Sequence, residues 1–442
     1  MAHLWPGLRG PSVDFISGPP SAVWCEERPR TLVILGSTGS IGRNTLAVVD
    51  ACPGFFRVLG LSCARNAARL AEQAAKYRPP YLAVLDADAA AKLTALLPVN
   101  YRPRILIGPE GYAELAELKD ASTVVSAQTG AAGLAGTLAA AEAGKVICLA
   151  NKESLVLAGS LVRDICSRTG AAILPVDSEH NAVFQCLSGH GQDVADIVLT
   201  ASGGPFLGKS AEALARVTPE QALRHPNWSM GQKITIDSAS MMNKGLEVIE
   251  AFHLYGVPLE RIRVLVHPQS IVHSMVSFKD GSLLAQFATA DMRLPIANCL
   301  CWPESLDVGV PPLDLAGSSA LSFAEPDMEA FPCLALALRA LRQRGGMCVV
   351  LNAANEAAVE IFLHRGCGFM DIPRFISAAL DAHAASAPGH EPFCPPLDPV
   401  APAGDDARLR GAVAGLFRRV EALDRKTRAF VRDLAKKGVA SC

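Results

Sequence analysis

The sequence predicts an α/β protein with an N-terminal doubly wound parallel sheet of Rossmann type, a central α+β catalytic domain and a C-terminal helical bundle. From Thr31 onward, short apolar runs alternate with amphipathic stretches, and a glycine-rich turn follows the first run. Longer β-type runs come next, and stretches rich in Ala and Leu close the chain. These three observations predict the order of the parts along the chain: first the parallel sheet, then the α+β domain, then the helical bundle.

The first part rests on seven short apolar runs that have the length of buried strands. They are Thr31–Gly36, Arg57–Ser62, Tyr81–Asp86, Arg104–Ile107, Thr123–Ser126, Lys145–Ala150 and Ile173–Val176. Helical stretches separate them at lengths suited to right-handed crossovers, among them Ala67–Tyr77, Ala87–Leu97 and Ala135–Ala143. This alternation predicts a parallel sheet with helices on both faces.

The later parts follow from a change of pattern after that sheet. Strands predicted close together in sequence favour antiparallel pairing, and their flat face is a candidate subunit contact; they are Arg263–Val266, Ser270–Phe278 and Leu283–Ala288. Four helices predict the bundle: Phe331–Gln343, Cys348–Leu363, Ile372–Ala385 and Leu409–Lys437.

Domain boundaries follow from composition. We expect a flexible extension at residues 1–30, a nucleotide-binding domain at 31–176, a catalytic and dimerisation domain at 177–301, a linker at 302–328 and a helical domain at 329–442 with a proline-rich insert at 385–406.

Composition excludes several classes of protein. Of 442 residues, half are hydrophobic, and 41 Lys and Arg against 43 Asp and Glu leave a net charge of −2. No nucleic-acid partner is expected from so balanced a charge. Thirteen scattered cysteines indicate a reducing compartment, so the expected localisation is cytoplasmic. No membrane segment is expected, since the uncharged run from Ala121 to Ala141 is rich in Ala, Gly, Ser and Thr.

The glycine-rich turn Gly36-Ser-Thr-Gly-Ser-Ile-Gly42 is a candidate phosphate site. It lies between the first strand and the first helix, where exposed backbone N–H groups bind an anion. This placement predicts a dinucleotide. The alternative is a turn that only brings the helix close to its strand.

The end of the second strand carries Arg65 where an NAD site usually places a carboxylate. A cation at this position, with Arg43 as a second candidate, suits the 2′-phosphate of NADP(H). The alternative is an ordinary solvated arginine at a helix start.

Acidic residues at two places in the chain form a candidate metal site. Asp177 and Glu179 follow a predicted strand, and Glu247 lies one helical turn after Asn243. Carboxylate oxygens suit a hard divalent cation. Two purely structural alternatives stay open. In one, Asp177 and Glu179 only cap a helix; in the other, Lys244 and Glu247 only form a surface salt bridge.

Hydroxyl, amide and ammonium groups near these acids suit a phosphate monoester. The candidates are Ser202, Ser238, Asn243 and Lys244. The segment from His225 to Gly231 is a predicted loop with a tryptophan, which suggests a lid that excludes water. The alternative is that Trp228 only anchors the loop to the core.

Six motifs in combination resemble the 1-deoxy-D-xylulose 5-phosphate reductoisomerase family over about residues 31 to 384. They are the glycine-rich turn, Leu149-Ala-Asn-Lys-Glu-Ser154, Pro175-Val-Asp-Ser-Glu-His-Asn181, Ser202-Gly-Gly-Pro-Phe206, His225-Pro-Asn-Trp-Ser-Met-Gly231 and Asn243-Lys-Gly-Leu-Glu247. The first thirty residues, the proline-rich insert and Ala64, where relatives often have glycine, depart from the family pattern.

The resemblance implies a role for each motif residue. NADPH would contact Thr38, Gly39, Ser40, Ile41, Ala64, Arg65, Asn66, Asn151, Glu153 and Gly231. One Mg²⁺ or Mn²⁺ would be bound by Asp177, Glu179 and Glu247. The substrate would contact Lys152, Ser178, Glu179, Ser202, His225, Ser238, Asn243, Lys244 and Glu247. The catalytic residues among these would be Lys152, Glu179 and His225.

The implied reaction is the rearrangement and NADPH-dependent reduction of a phosphorylated ketose to 2-C-methyl-D-erythritol 4-phosphate by a homodimer. Two other classes remain open at this point. A dehydrogenase of a metal-chelated hydroxy acid would use the same groups without rearrangement. A nucleotide-sensing regulator would not need the three carboxylates.

Overall fold

The computed structural model describes residues 15–188, 194–226, 228, 230–318, 320–386, 393 and 406–439. Within these ranges, no helix is both long enough and apolar enough to cross a membrane. Of the proline-rich insert, only residues 385, 386, 393 and 406 lie inside the described ranges.

The N-terminal sheet has seven strands: β1 (Arg30–Leu35), β2 (Phe56–Ser62), β3 (Tyr81–Val84), β4 (Arg104–Ile107), β5 (Thr123–Ser126), β6 (Val146–Leu149) and β7 (Ala172–Pro175). Every neighbouring pair is parallel, and the order is β4-β3-β2-β1-β5-β6-β7. The predicted doubly wound sheet is confirmed. The order reverses between β1 and β5, and ligands of such sheets bind at the carboxyl edge beside this point.

Seven helices belong to this part: α1 (Ala22–Glu26), α2 (Ser40–Ala51), α3 (Ala67–Tyr77), α4 (Ala87–Leu96), α5 (Gly108–Ala116), α6 (Leu134–Glu142) and α7 (Lys152–Thr169). Side chains cap the N-termini of α1, α3, α4 and α7, whereas α2, α5 and α6 have no side-chain cap among the described residues. The Asn151 side chain accepts a hydrogen bond from the Ser154 amide (3.1 Å), which starts α7, and Gly170 ends it at a φ of +75°. The cap therefore fixes where Lys152 lies, directly after β6.

The second sheet is formed by β8 (Val194–Ala201), β9 (Ile262–Val266), β10 (Val272–Phe278) and β11 (Leu283–Phe287), in the order β11-β10-β8-β9. Among the predicted strands, antiparallel pairing is found between β10 and β11; β10 also pairs antiparallel with β8, which was not in the predicted set. For β9 the prediction is wrong, because β9 pairs with β8 and runs parallel to it. Helices between β8 and β9 make a crossover, and β8 separates β9 from β10.

The remaining helices surround this sheet and complete the chain. They are α8 (Ser178–Leu187), α9 (Ala211–Leu214), α10 (Pro219–Ala222), α11 (Gln232–Ala239), α12 (Met242–Tyr255), α13 (Arg293–Cys301), α14 (Pro332–Gln343), α15 (Met347–Leu363), α16 (Asp371–Ser386) and α17 (Asp406–Val439). The last four form the predicted helical part, and α15 packs against α14, α16, α17 and α7.

Residues 15–30 are packed onto the fold, which corrects the expected flexible extension for this stretch. The Ile16 amide donates to the Leu254 carbonyl (3.0 Å), and the buried Trp24 ring donates from Nε1 to Thr123 Oγ1 (2.9 Å). The Arg30 guanidinium is fully buried, lies over the Trp24 ring and donates to the carbonyls of Trp24, Cys25, Leu300 and Trp302. Residues 1–14 lie outside the described ranges.

Candidate active site

The three predicted metal ligands come together at the carboxyl edge of β7. Asp177 caps α8 by accepting from the Glu179 amide (3.3 Å), and Glu247 lies on α12 with 1% of its side chain exposed. One oxygen from each of Asp177, Glu179 and Glu247 lies within 4.8 Å of the others. Three converging carboxylates are the donor set of Mg²⁺ or Mn²⁺, so these residues fit the predicted cation.

Two lysine ammonium groups neutralise part of this negative charge. Lys152 Nζ donates to Asp177 Oδ2 (2.7 Å), Glu247 Oε1 (2.9 Å) and Asn243 Oδ1 (3.0 Å). Lys244 Nζ donates to Glu179 Oε1 (2.8 Å) and to Glu247. The surface salt bridge considered for Lys244 and Glu247 is therefore a buried contact, since these side chains are 3% and 1% exposed.

Burial and charge act in opposite directions on these carboxyl groups. Burial alone raises the pKa of Asp177, but the Lys152 ammonium and the His180 imidazole outweigh it and hold the pKa well below its usual value. Burial and the charges of Asp177 and Glu179 raise the pKa of Glu247.

His180 and Glu250 support the cluster from behind, and the sequence analysis did not identify them. His180 Nδ1 is 3.1 Å from Asp177 Oδ1, and Nε2 donates to the Glu247 carbonyl (2.9 Å). Burial opposes the charged imidazole, but the Glu250 and Asp177 carboxylates prevail and raise its pKa to about 9. The spacing i, i+3 from Asp177 to His180 and from Glu247 to Glu250 is the only signal that the sequence offers.

His225 joins the two predicted phosphate-binding serines. Its Nε2 lies 3.1 Å from both Ser202 Oγ and Ser238 Oγ, while Nδ1 accepts from the Trp228 amide (3.0 Å). Burial lowers the pKa of His225, which favours the neutral ring. With Nδ1 accepting, the ring proton is on Nε2 and is directed at the hydroxyl oxygens, so each hydroxyl proton can be donated to an anion.

A cavity of about 200 Å³ connects these groups with the nucleotide side of the sheet. Trp228 and Met230 line it, and residues 227 and 229 of the same loop lie outside the described ranges. The predicted site residues that line it are Ser40, Ile41, Lys152, Asp177, Ser178, Glu179, Ser202, His225, Gly231, Ser238, Asn243, Lys244 and Glu247. The other predicted residues lie outside its lining; they are Thr38, Gly39, Ala64, Arg65, Asn66, Asn151 and Glu153.

The glycine-rich turn fits a bound pyrophosphate. At Gly42 a Cβ would lie 2.4 Å from the Ser37 Cα, so only glycine allows this close turn. Gly39 is the N-cap of helix α2, and no side chain within the described ranges caps this helix. Its first amide groups remain available to an anion, and the helix dipole favours one there.

Arg65 lies at the surface beside the end of β2. Its side chain is 76% exposed, and Nε donates to Asp86 Oδ2 (3.2 Å). The sequence analysis found no carboxylate near this point, yet Asp86 reaches it from the end of β3. Asn66 caps α3 by accepting from the Arg69 amide (3.2 Å), and Ala64 precedes them in the same exposed turn.

Asn151 and Glu153 lie at the start of α7, next to Lys152. Asn151 Nδ2 donates to the carbonyls of Gln128 (2.8 Å) and Gly130 (2.9 Å) and to Glu153 Oε2 (3.1 Å). Glu153 is 9% exposed, and its other oxygen accepts from Lys233. Both residues therefore belong to a fixed polar group behind the cavity wall.

Comparisons with known proteins agree with this arrangement. Family models match residues 32–159 (1-deoxy-D-xylulose 5-phosphate reductoisomerase), 173–255 (its C-terminal domain) and 287–394 (DXP reductoisomerase C-terminal domain). The 1-deoxy-D-xylulose 5-phosphate reductoisomerase of Nitratidesulfovibrio vulgaris (strain DP4) is 60% identical over 85% of this chain and 92% of its own. That of Lawsonia intracellularis is 54% identical over 85% and 93%.

Solved structures confirm the fold class. A DOX-P reductoisomerase in complex with NADPH, fosmidomycin and magnesium is 41% identical, with a TM-score of 0.81 over 91% of this chain and 99% of its own. The enzyme from Zymomonas mobilis in complex with NADPH is 40% identical, with a TM-score of 0.79 over 92% and 99%. The family and the enzyme class indicated by the motifs are confirmed. The chain belongs to the 1-deoxy-D-xylulose 5-phosphate reductoisomerase family.

Proposed function

We propose that the cavity converts 1-deoxy-D-xylulose 5-phosphate to 2-C-methyl-D-erythritol 4-phosphate, a step of non-mevalonate isoprenoid biosynthesis, using NADPH and one divalent cation. The carbon skeleton rearranges by retro-aldol cleavage and re-addition, and the branched aldehyde is then reduced. The observation that carries the proposal is that the carboxylate cluster, the His225 serine pair and the first turn of α2 line one cavity.

Asp177, Glu179 and Glu247 are the residues that would hold Mg²⁺ or Mn²⁺. Such a cation supplies Lewis-acid polarisation of the substrate carbonyl. Lys152 Nζ lies between Asp177 and Glu247, so its protons reach an oxygen bound at this cluster, and it serves as hydrogen-bond or proton donor. Glu179 is less buried than Glu247, and we assign it the exchange of protons with the cavity.

The substrate phosphate is assigned to Ser202, Ser238, Asn243 and Lys244. His225 directs its Nε2 proton at the two serine oxygens, and the Gly204 amide also donates to Ser202 Oγ (3.2 Å). The serine hydroxyl protons are then free to point at phosphate oxygens. Binding energy from this remote group helps to hold the reacting carbons in place during the rearrangement.

NADPH, which supplies the hydride, is assigned to the glycine-rich turn and to the residues beside it. We assign the pyrophosphate to the amides of Ser40 and Ile41 in the first turn of α2, with Thr38 and Gly39 in the turn beside them, and the 2′-phosphate to Arg65. Gly231 completes the site from the cavity, Asn151 and Glu153 are assigned to it at the start of α7, and Ala64 and Asn66 are assigned to the adenosine.

Replacing Arg65 by alanine is expected to weaken NADPH binding about tenfold and to leave NADH binding nearly unchanged, because only NADPH carries the phosphate that forms a charge-assisted hydrogen bond. Fluorescence titration of both nucleotides measures the two dissociation constants. Arg69→Ala, an exposed arginine on α3, is the matched control. Equal weakening of both nucleotides would contradict the assignment.

The reaction itself is tested by incubating the protein with NADPH, Mg²⁺ or Mn²⁺ and 1-deoxy-D-xylulose 5-phosphate. NADPH absorbance should fall only when the cation is present, and mass spectrometry with NMR should identify 2-C-methyl-D-erythritol 4-phosphate. A reduced product with an unrearranged carbon skeleton would point instead to a simple dehydrogenase.

A cytoplasmic homodimer is the form that we propose for the enzyme. Strand β11 is an edge of the second sheet, and its Leu283 and Phe287 are 54% and 43% exposed. Apolar side chains on an edge strand favour pairing with another subunit. The free thiols among the described residues suit a reducing compartment. Sedimentation equilibrium should give twice the mass of one chain; a monomer at micromolar concentration would contradict it.

A further inference from the structure

Lys233 is an ammonium group to which the reaction so far assigns no role. It lies in the first turn of α11, two residues after Gly231, where the loop 225–231 ends. Its Nζ is 2.9 Å from Glu153 Oε1 and 2.8 Å from Asp237 Oδ2. The side chain is 21% exposed, and the two carboxylates are 9% and 1% exposed, so this is a largely buried ion pair.

The Glu153 end of the pair reaches the start of α7, behind the cavity wall. The second oxygen of Glu153 accepts from Asn151 Nδ2, and the Asn151 side chain also caps α7. Lys152 lies between these two residues in the same first turn. The carboxylate of Glu153 is therefore held from one side by its own helix and from the other by Lys233.

The Asp237 end leads to the C-terminal helices. Asp237 Oδ1 accepts from Asn355 Nδ2 on α15 (2.8 Å), in addition to the contact of Oδ2 with Lys233. Helix α11 is thereby bonded to α15 on one side and to the start of α7 on the other. The ion pair of Lys233 with Glu153 therefore fixes the position of α11 relative to the start of α7.

Charge supports the same arrangement. Burial lowers the pKa of Lys233, but the carboxylates of Asp237, Glu153 and Glu356 outweigh it and keep the ammonium charged. Glu356 is itself paired with Arg428 on α17. Removing the Lys233 charge would leave the Glu153 carboxylate buried with Asn151 as its remaining side-chain donor among the described contacts.

We propose that Lys233 is a positioning residue that holds Glu153 and the first turn of α7 in the geometry that binds NADPH, and that it couples this turn, through Asp237, to α11 and α15. The inference rests on the proposed function, in which Asn151 and Glu153 contact the cofactor. Lys233 acts through Glu153 and need not touch the nucleotide.

The test compares NADPH binding by Lys233→Met with binding by the parent, using fluorescence titration of the full chain without cation or substrate. The NADPH dissociation constant should rise about tenfold, since breaking a buried charge pair displaces its remaining partner. Lys233→Arg should restore binding to within about threefold of the parent. Lys76→Met, which breaks the exposed pair with Asp50, is the matched control and should leave binding unchanged.

A double-mutant cycle with Glu153→Gln separates this role from a general loss of stability. If Lys233 acts through Glu153, adding Lys233→Met to Glu153→Gln should change the dissociation constant little further. Fully additive effects, or a parental NADPH constant in Lys233→Met, would overturn the inference. If Lys233→Met does not fold, as judged by thermal unfolding, Lys233→Gln provides the same comparison.

Failure of the proposed function can be distinguished from failure of this inference. The parent's turnover of 1-deoxy-D-xylulose 5-phosphate tests the reaction, while the binding cycle tests the coupling without any turnover. If the parent binds NADPH but gives no rearranged product, the proposed function is contradicted. The binding cycle would still decide whether Lys233 positions Glu153 for NADPH.

Discussion

Replacing Glu247 by glutamine is expected to lower kcat/KM at least about 100-fold while NADPH still binds, because an electrostatic group at the reacting centre is lost. Glu247 is 1% exposed and is contacted by Lys152, Asn243 and Lys244. The substitution keeps the shape of the side chain but removes one of three negative charges available to the cation. The described side-chain hydrogen bonds of Glu247 go to Lys152, Asn243 and Lys244, none of which is assigned to NADPH.

The measurement is steady-state turnover at increasing Mg²⁺ or Mn²⁺, together with NADPH titration. The lost charge should raise the cation concentration needed for half-maximal rate. Glu360→Gln, an exposed glutamate paired with Arg432, is the control and should behave as the parent. Parental turnover by the Glu247 variant at the same cation concentration would remove Glu247 from the metal site.

Lys152→Met is expected to reduce turnover about 100- to 1,000-fold for a different reason, because it removes a donor to the reacting oxygen. The cation should still bind, and its affinity should not fall, because a positive charge that competes for Asp177 and Glu247 has been taken away. A variant that binds metal but does not turn over would separate the role of Lys152 from that of the carboxylates.

Calorimetric titration of Mn²⁺ beside a turnover assay distinguishes these effects. Lys145→Met is a suitable control, since Lys145 is also largely buried but donates to the carbonyls of Leu118 and Ala121, away from the cavity. It tests whether losing a buried lysine alone impairs turnover. If Lys152→Met lost metal affinity and turnover in parallel, Lys152 would serve only to organise the carboxylates.

The nucleotide-binding sheet could be predicted closely because its pattern is local. A buried parallel strand is a short apolar run between turns, and a helix such as Ala67–Tyr77 shows its own periodicity and cap, so its predicted bounds coincide with those of α3. The motif residues around Asp177, Lys152 and Glu247 were predicted from sequence and lie together in the fold. Their individual roles in catalysis stay predictions.

Other features depend on contacts between distant residues. The partner of β9 depends on where the intervening helices place β8, and no strand carries that information in its own sequence. Asp86 reaches Arg65 because β2 and β3 are neighbours in the sheet. The stretch 15–30 has no periodicity, so composition alone suggested an extension, although Trp24 and Arg30 are buried there.

The buried guanidinium of Arg30 limits where this protein can be truncated. Its guanidinium is bonded to carbonyls before β1 and to others at the end of α13, some 270 residues later. A shortened version that starts at residue 31 would discard the guanidinium, and one that starts at residue 30 would lack the Trp24 ring over which it lies. An isolated nucleotide-binding unit would in turn lose the carbonyls of Leu300 and Trp302, so the buried guanidinium keeps all its partners only when the segment before β1 and the end of α13 stay in one chain.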